Sequence, residues 1–67
     1  MELTLKAARV NKHLTQRDVA QILDVSVDTV GNWERGKTYP DALLLKKLED
    51  LYGVSYDQII FLPRNNA

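Results

Sequence analysis

This chain of 67 residues contains no cysteine, one histidine and no long apolar run. Without cysteine a disulfide is excluded, and neither a cysteine-ligated zinc ion nor a histidine-rich metal site is expected. No apolar stretch reaches the length that would span a bilayer, and the amino terminus lacks a secretory pattern. We therefore expect a cytoplasmic protein with no membrane partner, no metal ion and no other cofactor.

The chain also lacks an excess of charge of either sign, because nine basic residues balance nine acidic ones. Zero net charge argues against a general nucleic-acid binder, which usually shows a strong basic excess. It does not exclude a sequence-specific reader that holds its positive charge on one face. Six of the nine basic residues precede Pro40, although both signs of charge occur on each side of it.

The spacing of apolar residues predicts one small all-α domain with five short helices and no strand. We expect this domain to cover residues 1–63, followed by a flexible tail over 64–67. The predicted helices run over about residues 4–12, 15–23, 26–35, 41–52 and 55–62.

Small polar residues precede several of these helices and support their boundaries. Capping-box spacing occurs twice, at Thr15 with Asp18 and at Ser55 with Gln58. Ser26 is a good N-cap for the third helix, and Gly36 accepts the left-handed geometry that follows its end. Pro63 is expected to stop the fifth helix.

Residues 14–37, LTQRDVAQILDVSVDTVGNWERGK, resemble the Xre/Cro-type phage-repressor helix-turn-helix family. The later run LEDLYGVSYDQII is similar to the two closing helices of that family, so the resemblance covers nearly the whole chain. It implies a lambda-repressor-like DNA-binding domain, in which helices 2 and 3 form the helix-turn-helix. The matching positions are Leu14, Thr15, Gln16, Val19, Ala20, Leu23, Val25, Ser26, Thr29, Val30, Trp33, Glu34, Gly36 and Pro40.

Three positions depart from the pattern of that family. Asp24 stands where the family usually has glycine between the two helices, and His13 replaces a common glycine after helix 1. The position of Asp24 requires a positive φ, which aspartate tolerates better than most residues. Gly31 lies within the reading helix, where glycine costs about 1 kcal/mol relative to alanine.

The candidate base contacts lie early in helix 3, because a recognition helix enters the major groove by its first turn. They are Val27, Asp28, Thr29 and Asn32. Asn32 could bond an adenine edge in two places, Asp28 could accept from a cytosine amino group, and Val27 or the Thr29 methyl could touch a thymine methyl. Asp28 could instead serve only as a negative charge that stabilises the helix N-terminus, and Val27 could belong to the core. Trp33 is expected in the core.

The candidate phosphate contacts are Thr15, Gln16, Arg17, Arg35 and Lys37. By resemblance, Gln16 grips a phosphate beside the groove, and it can also brace a side chain of the recognition helix. For the basic residues, a solvated surface position is the competing interpretation. Phosphate contacts position a protein on DNA and set its salt dependence, whereas base contacts set the sequence that is read.

The resemblance also implies a structural ion pair between Arg9, in helix 1, and Glu34, which follows the tryptophan of helix 3. Such a pair would tie helix 1 to the end of helix 3. Removing one partner would leave an uncompensated charge, so Arg9 is not expected to contact DNA.

The apolar cluster near the carboxyl end is the candidate dimer surface, since its members cannot all face a small core. It comprises Ile59, Ile60, Phe61 and Leu62. The other possibility is that Phe61 folds back onto helix 1. Proteins of this kind usually bind palindromic half-sites as twofold dimers, so a weak homodimer is expected.

Taken together, the sequence favours a DNA-binding transcriptional regulator of phage or mobile-element type, in particular a repressor that binds a double-stranded operator. One alternative is an antitoxin. The other is a protein-interaction module on the same scaffold, which zero net charge and Gly31 support. An enzyme is the least favoured class, because the sequence has no nucleophile–base spacing, no glycine-rich phosphate loop and no metal-ligand cluster. No pocket for a small-molecule effector is evident in the sequence.

Overall fold

The computed structural model describes residues 2–62. Within that range four α-helices form most of the structure, and two very short strands and a single 3₁₀ turn complete it. The elements in chain order are β1 (Leu3–Thr4), α1 (Leu5–Asn11), α2 (Gln16–Leu23), α3 (Val27–Arg35), α4 (Ala42–Tyr52), the 3₁₀ turn (Tyr56–Gln58) and β2 (Ile59–Ile60).

Each of the four α-helices begins with a side-chain cap. The capping box at the start of α2 is confirmed: Asp18 N donates to Thr15 Oγ1 at 3.0 Å, and Thr15 N donates to Asp18 Oδ2 at 2.9 Å. Hydrogen bonding to the Asp18 carboxyl, first from the Thr15 backbone amide and then from the Thr15 side chain, lowers the pKa of that carboxyl. Ser26 caps α3 by accepting from Thr29 N at 3.1 Å, as the sequence predicts. Because the caps satisfy N–H groups that no helical carbonyl reaches, they fix where each short helix begins.

The turn between α2 and α3 depends on a left-handed residue. Asp24 has φ 59° and ψ 48°, and the next amide, Val25 N, donates to Ala20 O at 3.0 Å. The prediction of a positive φ at Asp24 is therefore confirmed. His13, after α1, also has a φ of 59°. The chain reverses within three residues between α2 and α3, which places α3 directly against α2.

The predicted fifth helix over residues 55–62 is wrong, and so is the prediction of no strand. Ser55 N donates to Gln58 Oε1 at 2.9 Å, but only the 3₁₀ turn begins here, after which Ile59 is extended, with φ −88° and ψ 127°. β2 then pairs in parallel with β1, with Leu3 opposite Ile59 and Thr4 opposite Ile60. Two consecutive β-branched isoleucines favour extended backbone, and pairing with β1 satisfies amides that so short a helix would leave open. The predicted stop at Pro63 and the tail over 64–67 lie outside the described residues.

The core lies between the four α-helices and β2, and all of these elements contribute to it. Val19, Val30 and Leu48 are its largest fully buried side chains. Trp33 is 5% exposed, so its predicted place in the core is confirmed. The other core residues are Leu5, Ala8, Ala20, Leu23, Tyr52 and Ile59. Among residues 2–62, no helix has both the length and the apolar character needed to cross a membrane.

Candidate nucleic-acid interface

α2 and α3 form a compact two-helix unit whose second helix has two different sides. Val30, Trp33 and Glu34 are buried on the inner side of α3. Asp28 and Arg35 are exposed and Asn32 is half-buried on the other side. Their spacing of four and then three residues aligns these three positions along one face of the helix. α3 therefore presents a polar face whose orientation is set by the core beneath it.

The first turn of α3 is accessible to solvent. Val27 is 40% exposed, Asp28 is also exposed, and Thr29 is half-buried. The Thr29 hydroxyl lies 2.8 Å from the Ser26 hydroxyl, so it is engaged at the helix cap. The structure thus brings the four predicted base-contacting residues onto α3 within two turns, with Val27 outside the core. Which of them contacts a base stays a prediction.

A buried ion pair holds the carboxyl end of α3 against α1. Arg9 Nε donates to Glu34 Oε2 at 2.7 Å, and Arg9 Nη2 donates to Glu34 Oε1 at 3.2 Å. The side chains are 11% and 4% exposed, so the predicted pair between Arg9 and Glu34 forms away from solvent. The hydrogen bond to Glu34 raises the pKa of Arg9. The pKa of the nearby Tyr52 is raised, mainly by burial and secondly by the negative charge of Glu34.

Two further hydrogen bonds extend this pair into a four-membered network, which we call the Arg9–Glu34 network. Arg9 Nη1 donates to Leu14 O at 2.8 Å, and Gln16 Nε2 donates to Glu34 Oε1 at 3.0 Å. Gln16 lies at the start of α2, so the network joins α1, α2 and α3. Among residues 2–62, no buried side-chain nitrogen or oxygen lacks a hydrogen-bond partner. Gln16 therefore braces a side chain of α3, one of its two expected roles.

The remaining candidate phosphate contacts lie at the edges of the two-helix unit. Thr15 caps α2, Arg17 is exposed in the first turn of α2, and Lys37 is exposed just after α3. Neither Arg17 nor Lys37 forms an ion pair with another residue in the range 2–62. Both charges are therefore available to an anion, while the phosphate role of each residue stays a prediction.

The comparisons with known proteins agree with this geometry. The model of the helix-turn-helix family matches residues 5–59, which includes α1, α2, α3 and α4. This chain belongs to the helix-turn-helix family. The resemblance to Xre/Cro-type regulators is thereby confirmed. No solved structure is significantly similar to the chain.

Curated relatives of this helix-turn-helix chain include three bacterial regulators. It is 36% identical to the HTH-type transcriptional activator BcrR of Enterococcus faecalis over 84% of this chain and 28% of BcrR. It is 38% identical to the HTH-type transcriptional regulator ImmR of Bacillus subtilis (strain 168) over 84% of this chain and 44% of ImmR. It is 36% identical to YonR, an SPbeta prophage-derived HTH-type transcriptional regulator of the same organism, over 84% of this chain and 52% of YonR. The chain spans about half the length of these relatives, or less.

One contact in the helix-turn-helix unit was not expected from the sequence. Arg35 Nη2 donates to Asn32 Oδ1 at 2.6 Å, although Asn32 was assigned to a base and Arg35 to a phosphate. A Cβ added at Gly31 would lie 3.1 Å from Arg35 Nη1, because the guanidinium group of Arg35 packs over the glycine. The unfavourable glycine in mid-helix is the feature of the sequence from which this arrangement could have been suspected.

The expected dimer residues of the helix-turn-helix chain do not form one exposed surface. Ile59 is 8% exposed and belongs to the core, so the expectation for Ile59 is corrected. Ile60 and Leu62 are 41% and 40% exposed. Phe61 packs against two aromatic rings, with centroid distances of 5.9 Å to Tyr39 and 5.8 Å to Tyr56.

The Arg9–Glu34 network predicts a large and asymmetric effect of substitution. Arg9→Ala leaves the Glu34 carboxylate buried without its charged partner, which should lower the free energy of unfolding by about 3–5 kcal/mol. Replacing both residues, as Arg9→Met with Glu34→Leu, should restore most of that loss because no buried charge remains. Urea unfolding followed by circular dichroism measures both values.

The exposed neighbour Lys6 supplies the control, since Lys6→Ala should change stability by no more than about 0.5 kcal/mol. An Arg9→Ala variant as stable as Lys6→Ala would contradict the structural role of the network.

Proposed function

We propose that this chain is a sequence-specific, double-stranded DNA-binding transcriptional regulator of phage or mobile-element type, acting as a repressor. The supporting observation is the capped first turn of α3, exposed on a two-helix unit that the Arg9–Glu34 network holds in place. An α-helix of this kind fits the major groove, where base edges can be distinguished. The proposed role involves no catalysis.

In this proposal the first turn of α3 meets base edges. Asp28 accepts from a cytosine amino group, and Val27 or the Thr29 methyl contacts a thymine methyl. The Thr29 hydroxyl is held by Ser26 at 2.8 Å, so the methyl is the part of Thr29 left for such a contact. Asn32, one turn later, supplies the fourth base contact.

Phosphate contacts flank the reading helix in the same proposal. Thr15, Gln16 and Arg17 lie at the amino-terminal end of α2, where the helix dipole also favours an anion. Lys37 lies beyond the end of α3 and contacts the phosphates on the other side of the groove. Arg35, in the last turn of α3, adds its positive charge to this side. Zero net charge is compatible with this arrangement, because net charge does not fix how the charges are distributed over the surface.

The family and the printed names of the relatives support regulation of transcription as the role. YonR, which is named as prophage-derived, supports the link to phage or mobile elements. A domain that only binds DNA can repress by occupying a promoter, and it needs no contact with polymerase to do so. Such a regulator works in the cytoplasm, where the DNA is.

The salt dependence of binding tests the phosphate contacts. On a duplex selected from a random oligonucleotide pool, Arg17→Ala and Lys37→Ala should each weaken binding and reduce the slope of log affinity against log salt by about 1. Neither substitution should change which sequence is preferred. Fluorescence anisotropy at several salt concentrations measures the affinity and the slope.

Lys47→Ala is the matched control, since Lys47 is exposed on α4, away from the reading helix. Selection of no sequence by the wild-type protein at low salt would refute the proposed function and favour a protein-interaction module. An unchanged slope in both variants would refute only the phosphate assignment.

We also propose that the protein binds a palindromic operator as a weak homodimer. One reading helix covers only a few base pairs, and two half-sites about 34 Å apart match a twofold dimer. Ile60 and Leu62 keep apolar surface exposed, and an open pocket of about 320 Å³ is lined by Tyr39, Pro40, Leu45, Tyr56 and Phe61. An exposed apolar surface of this kind is suited to a second copy of the chain.

Ile60→Glu tests this dimer surface. A charge there should weaken binding to a palindromic duplex by about tenfold or more, because the two copies no longer support each other, while binding to a single half-site stays unchanged. Leu43→Glu is the control, since Leu43 is 67% exposed but lies on α4. If Ile60→Glu binds the palindrome as tightly as Leu43→Glu does, this surface is not the dimer interface.

A further inference from the structure

Gly31 occupies an unfavourable position that its backbone does not explain. It lies inside α3, where glycine is less favourable than alanine, and its φ is not in the left-handed region that calls for glycine. The space beside Gly31 is the other property that the lack of a side chain changes. A Cβ built there would lie 3.1 Å from Arg35 Nη1, 3.6 Å from Nη2 and 3.7 Å from Cζ. The Arg35 guanidinium lies across the bare helix surface at Gly31.

The same guanidinium also fixes Asn32. Arg35 Nη2 donates to Asn32 Oδ1 at 2.6 Å, a short, charge-assisted hydrogen bond. The carbonyl oxygen of the Asn32 amide is thus directed at Arg35. The hydrogen-bonding groups left for a DNA base are mostly donors, namely the NH₂ of Asn32 and the remaining N–H groups of Arg35, because one lone pair of Asn32 Oδ1 is already engaged.

Neighbouring charges do not draw Arg35 away from this position. Glu34 shares an open groove of about 650 Å³ with Arg35, along with Lys6, Arg9, Gln16, Gly31 and Leu62. The Glu34 carboxylate, however, already accepts two bonds from Arg9 and one from Gln16. Among the described residues no carboxylate forms an ion pair with Arg35. The partner of Arg35 is therefore Asn32, on its own helix.

We propose that Gly31, Asn32 and Arg35 form one base-reading unit that selects guanine. Gly31 is its positioning residue, because a side chain larger than a methyl group would displace the guanidinium. Guanine offers two acceptors, N7 and O6, in the major groove, and these match a group of donors. Adenine, which a free asparagine reads, presents an N6 donor, and that donor would face the N–H groups of Arg35. This inference rests on the proposed function and names the base that Asn32 reads.

The test measures base preference at one position of the selected duplex. The base pair facing Asn32 is the one at which Asn32→Ala changes the preference. There, the wild-type protein should bind guanine over adenine by roughly tenfold or more. Gly31→Leu places a side chain where the guanidinium lies and should reduce that preference to within about twofold. Arg35→Ala removes the guanidinium and should have the same effect. The double variant Asn32→Ala with Arg35→Ala should lose no more preference than either single variant, since residues acting as one unit are non-additive.

Two further variants keep the result interpretable. Gly31→Ala asks the flexible end of Arg35 to move by only a few tenths of an ångström, so it should keep the fold and most of the guanine preference. Lys47→Ala, on α4, should leave the preference unchanged. Thermal unfolding checks that each variant is folded, and Arg35→Ala, an exposed substitution, carries the test if Gly31→Leu does not fold.

The outcomes separate this inference from the proposed function. Absence of sequence-specific binding by the wild-type protein would overturn both. Specific binding with adenine preferred at the position of Asn32 would overturn the guanine unit alone. So would a guanine preference that survives Arg35→Ala, or losses from Asn32→Ala and Arg35→Ala that simply add.

Discussion

The buried ion pair between Arg9 and Glu34 is the constraint on which the geometry of the reading helix depends. A charge inside so small a domain is costly unless it is paired and its remaining hydrogen-bonding groups are satisfied. The carboxylate accepts from Arg9 twice and from Gln16 once, and Arg9 also donates to Leu14 O. A different tilt of α3 would break several of these bonds together. α1, α2 and α3 are therefore held in one arrangement, by contacts more directional than apolar packing provides.

This arrangement divides α3 between structure and recognition. Its inner side supplies Val30 and Trp33 to the core and Glu34 to the network, so those positions are committed to the fold. Its outer side is left for DNA, and the strict anchoring beneath allows that side to vary without loss of the fold. The contact between Asn32 and Arg35 indicates that even the outer side is internally ordered before DNA arrives. Ordering of this kind lowers the entropy lost on binding.

The sequence predicts this fold well where local chemistry decides the structure. Caps and turn residues, such as the capping box at Thr15 and the left-handed Asp24, are read from a few neighbouring residues. The prediction failed at residues 55–62, because whether Ile59 continues a helix or pairs with a strand depends on β1, more than fifty residues earlier. At the site, the pattern located the exposed face but not the bond between Asn32 and Arg35. That bond depends on rotamers, and the only sequence signal for it was Gly31.

The central claim is that the outer face of α3 is where DNA binds. Titration of the ¹⁵N-labelled protein with its selected duplex, followed by amide chemical shifts, tests this most directly. We expect the largest changes at Val27, Asp28 and Asn32 and at the start of α2, while the exposed side of α4 stays unchanged. Changes concentrated on α4 or around the pocket at Phe61, with α3 unaffected, would contradict it.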